Sequence, residues 1–285
     1  MTPKNRERAY EKRRYEEWQD RLAAKRAQNR KVRQRLAVGG GSVVVVLVIA
    51  AAFLLANQGK DDDEASTSAA STPAASASSA VSDAKSTCPT VDVTAPESPK
   101  QYDKVPAKSG AEGRTWTVDV KTTCGDITIS LDGKAAPQAV ASMVQLAKDG
   151  FYDGTPCHRL TTAERFEVLQ CGDPTGTGTG GPGYTYGPIE NAPSKKSGAT
   201  SRTYEEGTVA MARAGGDAES MGSQFFLVYG DTDIPDDDVG GYTVLGKITK
   251  GLDVVKKVAE GGVSDGSQDG TPVSAVSIES TKVSG

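Results

Sequence analysis

His158 and Arg159 stand side by side in the stretch FYDGTPCHRLTTAERFEVLQCGD at 151–173, and an imidazole next to a guanidinium invites acid–base or hydrolytic chemistry. The hydrolytic option lacks its other parts: His158 is the only histidine, and no G-x-S-x-G nucleophile elbow occurs. Neighbours on a strand point to opposite faces, so at most one of the pair can serve a given site. We read His158 as structural; Arg159 stays ionised at any working pH and presents a planar set of donors, but taken alone it reads as a surface ion pair. GTGTGG at 176–181 satisfies the letter of the dinucleotide pattern G-x-G-x-x-G, but Pro174 and Pro182 flank it and no strand-to-helix context surrounds it, so a loop is expected. The acidic stretch Asp231, Asp233 and Asp236–Asp238 lacks the spacing of a calcium loop and reads as a solvated surface. No C-x-x-C pair is present either, so no metal and no cofactor are expected.

The elements that must carry Arg159 follow from periodicity. Trp116, Val118 and Val120 alternate with polar residues, as do Ile127, Ile129 and Leu131, which predicts a hairpin with one buried face. Pro137 suits a first helical turn. Val140, Met143, Val144 and Ala147 then share a helical face until Gly150 ends it. Short strands and glycine-rich loops follow, with a second helix near 252–259 and a last strand near 273–278. Two helices among many short strands predict a mainly β fold, a closed barrel capped at its ends.

Four blocks carry a family resemblance: the stretch at 151–173, GTVAMARAGG at 207–216, GSQFFLVYG at 222–230 and YTVLGKI at 242–248. Their types, order and spacing resemble the cyclophilins over roughly residues 113–283. The resemblance implies a closed eight-stranded antiparallel β-barrel with two capping α-helices and a peptide groove on its outer face. It implies peptidyl-prolyl cis–trans isomerase activity, with Arg159 as the catalytic arginine and Gln170 beside it. Phe166, Val168, Phe225 and Leu245 would wall the proline pocket. Ala212 and Arg213 would align the substrate backbone, Gln224 would lie in the groove, and Tyr242 stands where a histidine is common. Arg213 replaces a usual asparagine, and the 231–241 loop lacks the tryptophan of many relatives. A non-catalytic proline-peptide-binding module or chaperone is the alternative. Clients would be proline-containing polypeptides, met by a monomer.

Cys88, Cys124, Cys157 and Cys171 allow three pairings. Cys157 and Cys171 flank the hairpin that would join the Arg159 and Gln170 strands, which favours Cys157–Cys171 with Cys88–Cys124.

The rest of the chain is uneven in charge. Residues 1–36 hold 13 Lys/Arg and 5 Asp/Glu, a net +8, which leaves 20 and 32 of the whole chain's 33 and 37 for the remainder, a net −12. The basic tail at 1–35 reads as an exposed helix laced with charge pairs. Residues 36–56 are 21 uncharged, mostly apolar residues, enough for one transmembrane helix acting as a signal anchor. The basic flank predicts a cytoplasmic N-terminus and an extracytoplasmic domain. Anionic lipid is the expected contact of the tail, and no nucleic acid is required. An Ala/Ser/Thr-rich linker at 57–87 cannot bury enough apolar surface to fold. A proline-containing extended segment at 88–112 leads into the domain at 113–285.

Overall fold

The computed structural model describes residues 86–89 and 96–285. The basic tail, the apolar span at 36–56 and nearly all of the linker lie outside the described residues. Among the described residues, no helix is long and apolar enough to cross a membrane. Ser86 and Thr87, counted with the linker above, are held by side-chain hydrogen bonds to Ser274, and the Thr87 hydroxyl also donates to the Lys257 carbonyl.

The first hairpin forms as the alternation demands. β1 (Thr115–Thr122) and β2 (Gly125–Asp132) pair antiparallel, with Trp116 opposite Leu131 and Val118 opposite Ile129. Helix α1 (Pro137–Lys148) starts on its proline, but Ala136 supplies no side-chain cap. The carboxylate of Glu190, from a distant loop, accepts from the Gln138 and Ala139 N–H groups instead. It meets both the unpaired donors and the positive end of the helix dipole. The helix is also buried beyond its expected face, with Ala139, Ala141 and Leu146 joining the core.

The chain continues through β3 (Thr155–Pro156), β4 (Arg159–Ala163), β5 (Phe166–Cys171), β6 (Ser201–Tyr204), β7 (Thr208–Met211), β8 (Phe225–Val228), β9 (Thr232–Pro235) and β10 (Val244–Lys250). Helix α2 (Leu252–Glu260), β11 (Asp269–Gly270) and β12 (Ser277–Ser284) complete it. The last strand is thus placed later than its apolar residues suggested. Val276 caps Cys157 from the loop, and the mostly polar β12 is held by its ladder to β1.

The mainly β fold with two helices is present. The described strands form one curled ten-stranded antiparallel sheet in the order β11-β4-β5-β8-β7-β10-β2-β1-β12-β3, beside a separate pair, β6-β9. The segment carrying β3 and β4 changes partners midway: the Cys157 N–H donates to the Val276 carbonyl on one side, and the His158 N–H to the Gln170 carbonyl on the other.

Both disulfides are Cys88–Cys124 and Cys157–Cys171, as the hairpin argument favoured. The second ties the start of β4 to the end of β5, a separation of 14 residues. Loop closure of this length in the unfolded chain is worth about 3 kcal/mol. A Cys157→Ser/Cys171→Ser protein is therefore expected to lose about that much stability in denaturant titration, and an unchanged midpoint would refute the expectation.

Candidate functional site

The register across the curled sheet assembles one row of side chains on its outer face. Arg159 of β4 pairs with Gln170 of β5, Gln170 with Phe226 of β8, Phe226 with Ala210 of β7, and Ala210 with Val244 of β10. Directly paired residues share a face, and so do residues two apart on a strand. Phe166 and Val168 therefore extend the row on β5, while Gln224, Ala212 and Tyr242 extend it just beyond the ends of β8, β7 and β10. Neighbouring strands lie about 4.8 Å apart, so four spacings give a row about 19 Å long.

The apolar part is a cluster separate from the main core. Val168, Tyr204, Ala210, Phe226, Val228 and Ile234 are buried in it, with Phe166, Ala212, Tyr242 and Val244 packed against them. The Phe226 ring meets the Tyr242 ring edge-on, 5.6 Å between centroids at 82°.

Two expected walls of the pocket are not here. Phe225 and Leu245 belong to the inner core, Phe225 against Tyr152 with ring centroids 5.7 Å apart. Their chain neighbours Phe226 and Val244 occupy the outer face instead. The signal was present: placing Gln224 and Tyr242 at the groove commits residues of the same parity, 226 and 244, to that face.

The polar end is a hydrogen-bonded chain. Arg159 donates through Nε and Nη2 to the two carboxylate oxygens of Asp269, at 2.7 and 2.9 Å, and through Nη1 to Gln170 Oε1 at 3.1 Å. Gln170 Nε2 donates to Gln224 Oε1 at 2.8 Å, and Gln224 Nε2 to the Gly180 carbonyl at 2.9 Å. Burial works to lower the pKa of Arg159, but the hydrogen bond and charge of Asp269 outweigh it and raise the value, so the group remains a cation. Three of its five N–H donors are engaged; among the described residues, one on each terminal nitrogen has no acceptor. A fixed cation with two open donors beside an apolar, aromatic surface can bind a peptide and stabilise charge or a lone pair developing on it.

His158 does not join this chemistry. Both ring nitrogens are buried and make no hydrogen bond among the described residues. Burial pushes its pKa down, against the opposing pull of Asp173 and with help from the Arg159 charge, so the ring is neutral near pH 7. It lies under the glycine-rich loop, close to Gly178. That loop is organised by the chain itself: the buried Asp173 carboxylate accepts from the N–H groups of Thr175, Gly178 and Gly180 and from the Thr175 hydroxyl. The N–H groups of Gly178 and Gly180, within GTGTGG, are thus turned to this carboxylate.

Arg213 is placed differently from expectation. Its side chain is 1% exposed and all five donors are engaged: Asp237 takes two, and the carbonyls of Ala214, Gly240 and Gly241 take three. It therefore has no side-chain donor left for a peptide, and instead fastens the 237–241 loop beside Tyr242, over whose ring it sits at 4.6 Å. Burial works to raise the pKa of Asp237, but hydrogen bonds from Arg213, Gly216 and Val239 and the charge of Arg213 outweigh it and hold the carboxyl below its ordinary value. A depressed carboxylate contributes stability that is full above its unfolded pKa and lost as pH falls through the folded one. The loop is thus expected to loosen only below about pH 4. Asp237→Ala is expected to loosen it at neutral pH, costing about 3–5 kcal/mol for the orphaned cation. Limited proteolysis across pH checks both, and equal protection of the variant would contradict them.

Asp269 and Phe226 are the residues that sequence reasoning missed. No spacing relates Asp269 to Arg159, 110 residues apart; only the pairing of β11 with β4 brings them together.

Comparison with known proteins finds relatives of one family. The chain is 43% identical over 171 residues to the "Probable peptidyl-prolyl cis-trans isomerase B" of Mycobacterium tuberculosis, covering 58% of this chain and 53% of that protein. The protein of the same description from Mycobacterium leprae is 39% identical over 201 residues, covering 68% and 65%. The "Peptidyl-prolyl cis-trans isomerase" of Helicobacter pylori is 41% identical over 153 residues, covering 53% and 84%. The chain thus spans between half and two thirds of the length of the two mycobacterial relatives. Residues 117–283, more than half of the chain and the whole of the row described above, match the family model "Cyclophilin type peptidyl-prolyl cis-trans isomerase/CLD". On this match the chain belongs to the cyclophilin-type peptidyl-prolyl cis–trans isomerase family.

Proposed function

We propose that this protein is a peptidyl-prolyl cis–trans isomerase that binds proline-containing segments of extracytoplasmic polypeptides along the outer row and assists their folding. The observation that carries this reading is Arg159, fixed by Asp269 and Gln170, with two donors open among the described residues at the end of an apolar face. Rotation about an X–Pro bond meets a barrier of about 18–20 kcal/mol because amide resonance must be broken. In the twisted state the proline nitrogen regains lone-pair character and becomes an acceptor, which the planar amide nitrogen is not. A guanidinium that donates to it, or to the neighbouring carbonyl, stabilises the twisted state more than either planar one. Phe226, Val168 and Tyr242 hold the proline ring by burial, which needs no charge and serves both isomers alike. Exchange spectroscopy on a proline peptide with the purified protein tests the activity. Peptide binding without accelerated exchange would replace the isomerase by a non-catalytic binding module.

The membrane anchor belongs to the same proposal. It is supported by the uncharged 36–56 stretch and its +8 flank within residues 1–36. Protease added to intact spheroplasts is expected to remove the domain while leaving the basic tail protected; the reverse pattern would overturn the orientation.

A further inference from the structure

We infer that Asp269 is a positioning residue for the isomerisation proposed above, acting through Arg159, and the inference rests on that reading. Gln170 alone cannot fix the guanidinium. One hydrogen bond at Nη1 leaves rotation about the last side-chain torsions, and the Phe166 ring, 5.9 Å from the guanidinium carbon, adds only a loose contact. The two parallel bonds to Asp269 define the plane, because a fork of two donors matches a carboxylate in only one orientation. Gln170 then sets the remaining direction, and its own amide is oriented by donating to Gln224.

Asp269 is itself well placed for this role. β11 is docked on β4 with Asp269 opposite Thr161, and the Thr162 N–H donates to the Gln268 carbonyl at 2.9 Å. Ser267 braces the turn, its hydroxyl donating to the Asp269 carbonyl at 3.1 Å. Gly270 keeps the strand close, since a Cβ there would lie 2.9 Å from Val263 Cγ1. The Arg159 and Asp269 side chains are 32% and 40% exposed, a setting in which an ion pair adds little to folding. What the pair supplies is geometry, and a catalytic group misplaced by about 1 Å loses on the order of 10² in rate.

The test is a double-mutant cycle in the full-length protein, with kcat and KM for a proline peptide measured for wild type, Asp269→Ala, Arg159→Ala and both together. Asp269→Ala is expected to lower kcat by about 10- to 100-fold at nearly unchanged KM. It should have no further effect once Arg159 is absent, and Asp269→Glu should recover part of the loss. The Arg159 Nε–H resonance should shift and exchange faster with solvent in Asp269→Ala. A wild-type kcat in Asp269→Ala, or the same fractional loss in the Arg159→Ala background, would overturn the inference while leaving the isomerase reading intact. An inactive wild-type protein is a different result: it would remove the isomerase reading and this role with it.

Discussion

Replacing Arg159 by alanine is expected to lower the exchange rate of a bound proline peptide by about 10³ while leaving its affinity nearly unchanged. The magnitude follows from about 4 kcal/mol of differential stabilisation, the contribution asked of two charged donors acting mainly on the twisted amide. Folding should survive the change. Asp269 is left without its cation but is 40% exposed, so water solvates the carboxylate and little stability is lost. Arg159→Lys should restore only a small part of the rate. An ammonium carries three donors at one point, and it cannot engage both Asp269 oxygens and Gln170 while still presenting donors to the groove. Exchange line-broadening gives the rate, titration of the same peptide gives the affinity, and circular dichroism confirms the fold. Near-normal exchange in folded Arg159→Ala would mean that another group does the chemistry.

Phe225→Ala and Phe226→Ala are expected to part in their effects although the residues are adjacent. Phe226 lies in the outer cluster against Tyr204 and Tyr242, so its loss removes a wall of the proposed proline site. Burial of one aromatic ring is worth about 1.5–3 kcal/mol, and peptide affinity should fall by roughly 10- to 100-fold. Phe225 packs inward on Tyr152, and cutting it back to alanine should cost about 3–5 kcal/mol of stability. The fraction that remains folded should bind peptide almost normally. Denaturant midpoints and peptide titrations on both variants separate the cases. Folded Phe225→Ala that loses as much affinity as Phe226→Ala would place the groove on the wrong parity of β8.

Much of this arrangement is legible before any coordinates. The hairpin of β1 and β2 and both helices follow from local periodicity, because each is decided by neighbours within a few residues. The two disulfides follow from the hairpin that Cys157 and Cys171 flank. The placing of Gln170 beside Arg159 came from the family resemblance, and the register of that one hairpin sets the two opposite each other.

What failed is whatever depends on which face a residue takes after a long excursion of the chain. Phe225 and Leu245 are as apolar as their neighbours, so composition cannot choose between them. The ladder from β5 to β8 chooses, by setting Gln170 against Phe226. Arg213 reads as a charge added to the groove, yet Asp237 and three carbonyls enclose it, because the 237–241 loop folds back over that strand end. The Glu190 cap of α1 and the Asp269 clamp on Arg159 are tertiary in the same sense. Local patterning carried the elements and the hairpin disulfide, and the family resemblance carried the choice of guanidinium. The outer-face partners, the cap and the orientation of that guanidinium were decided by the tertiary structure, since hydrogen-bond register between distant strands fixes them and no local propensity encodes it.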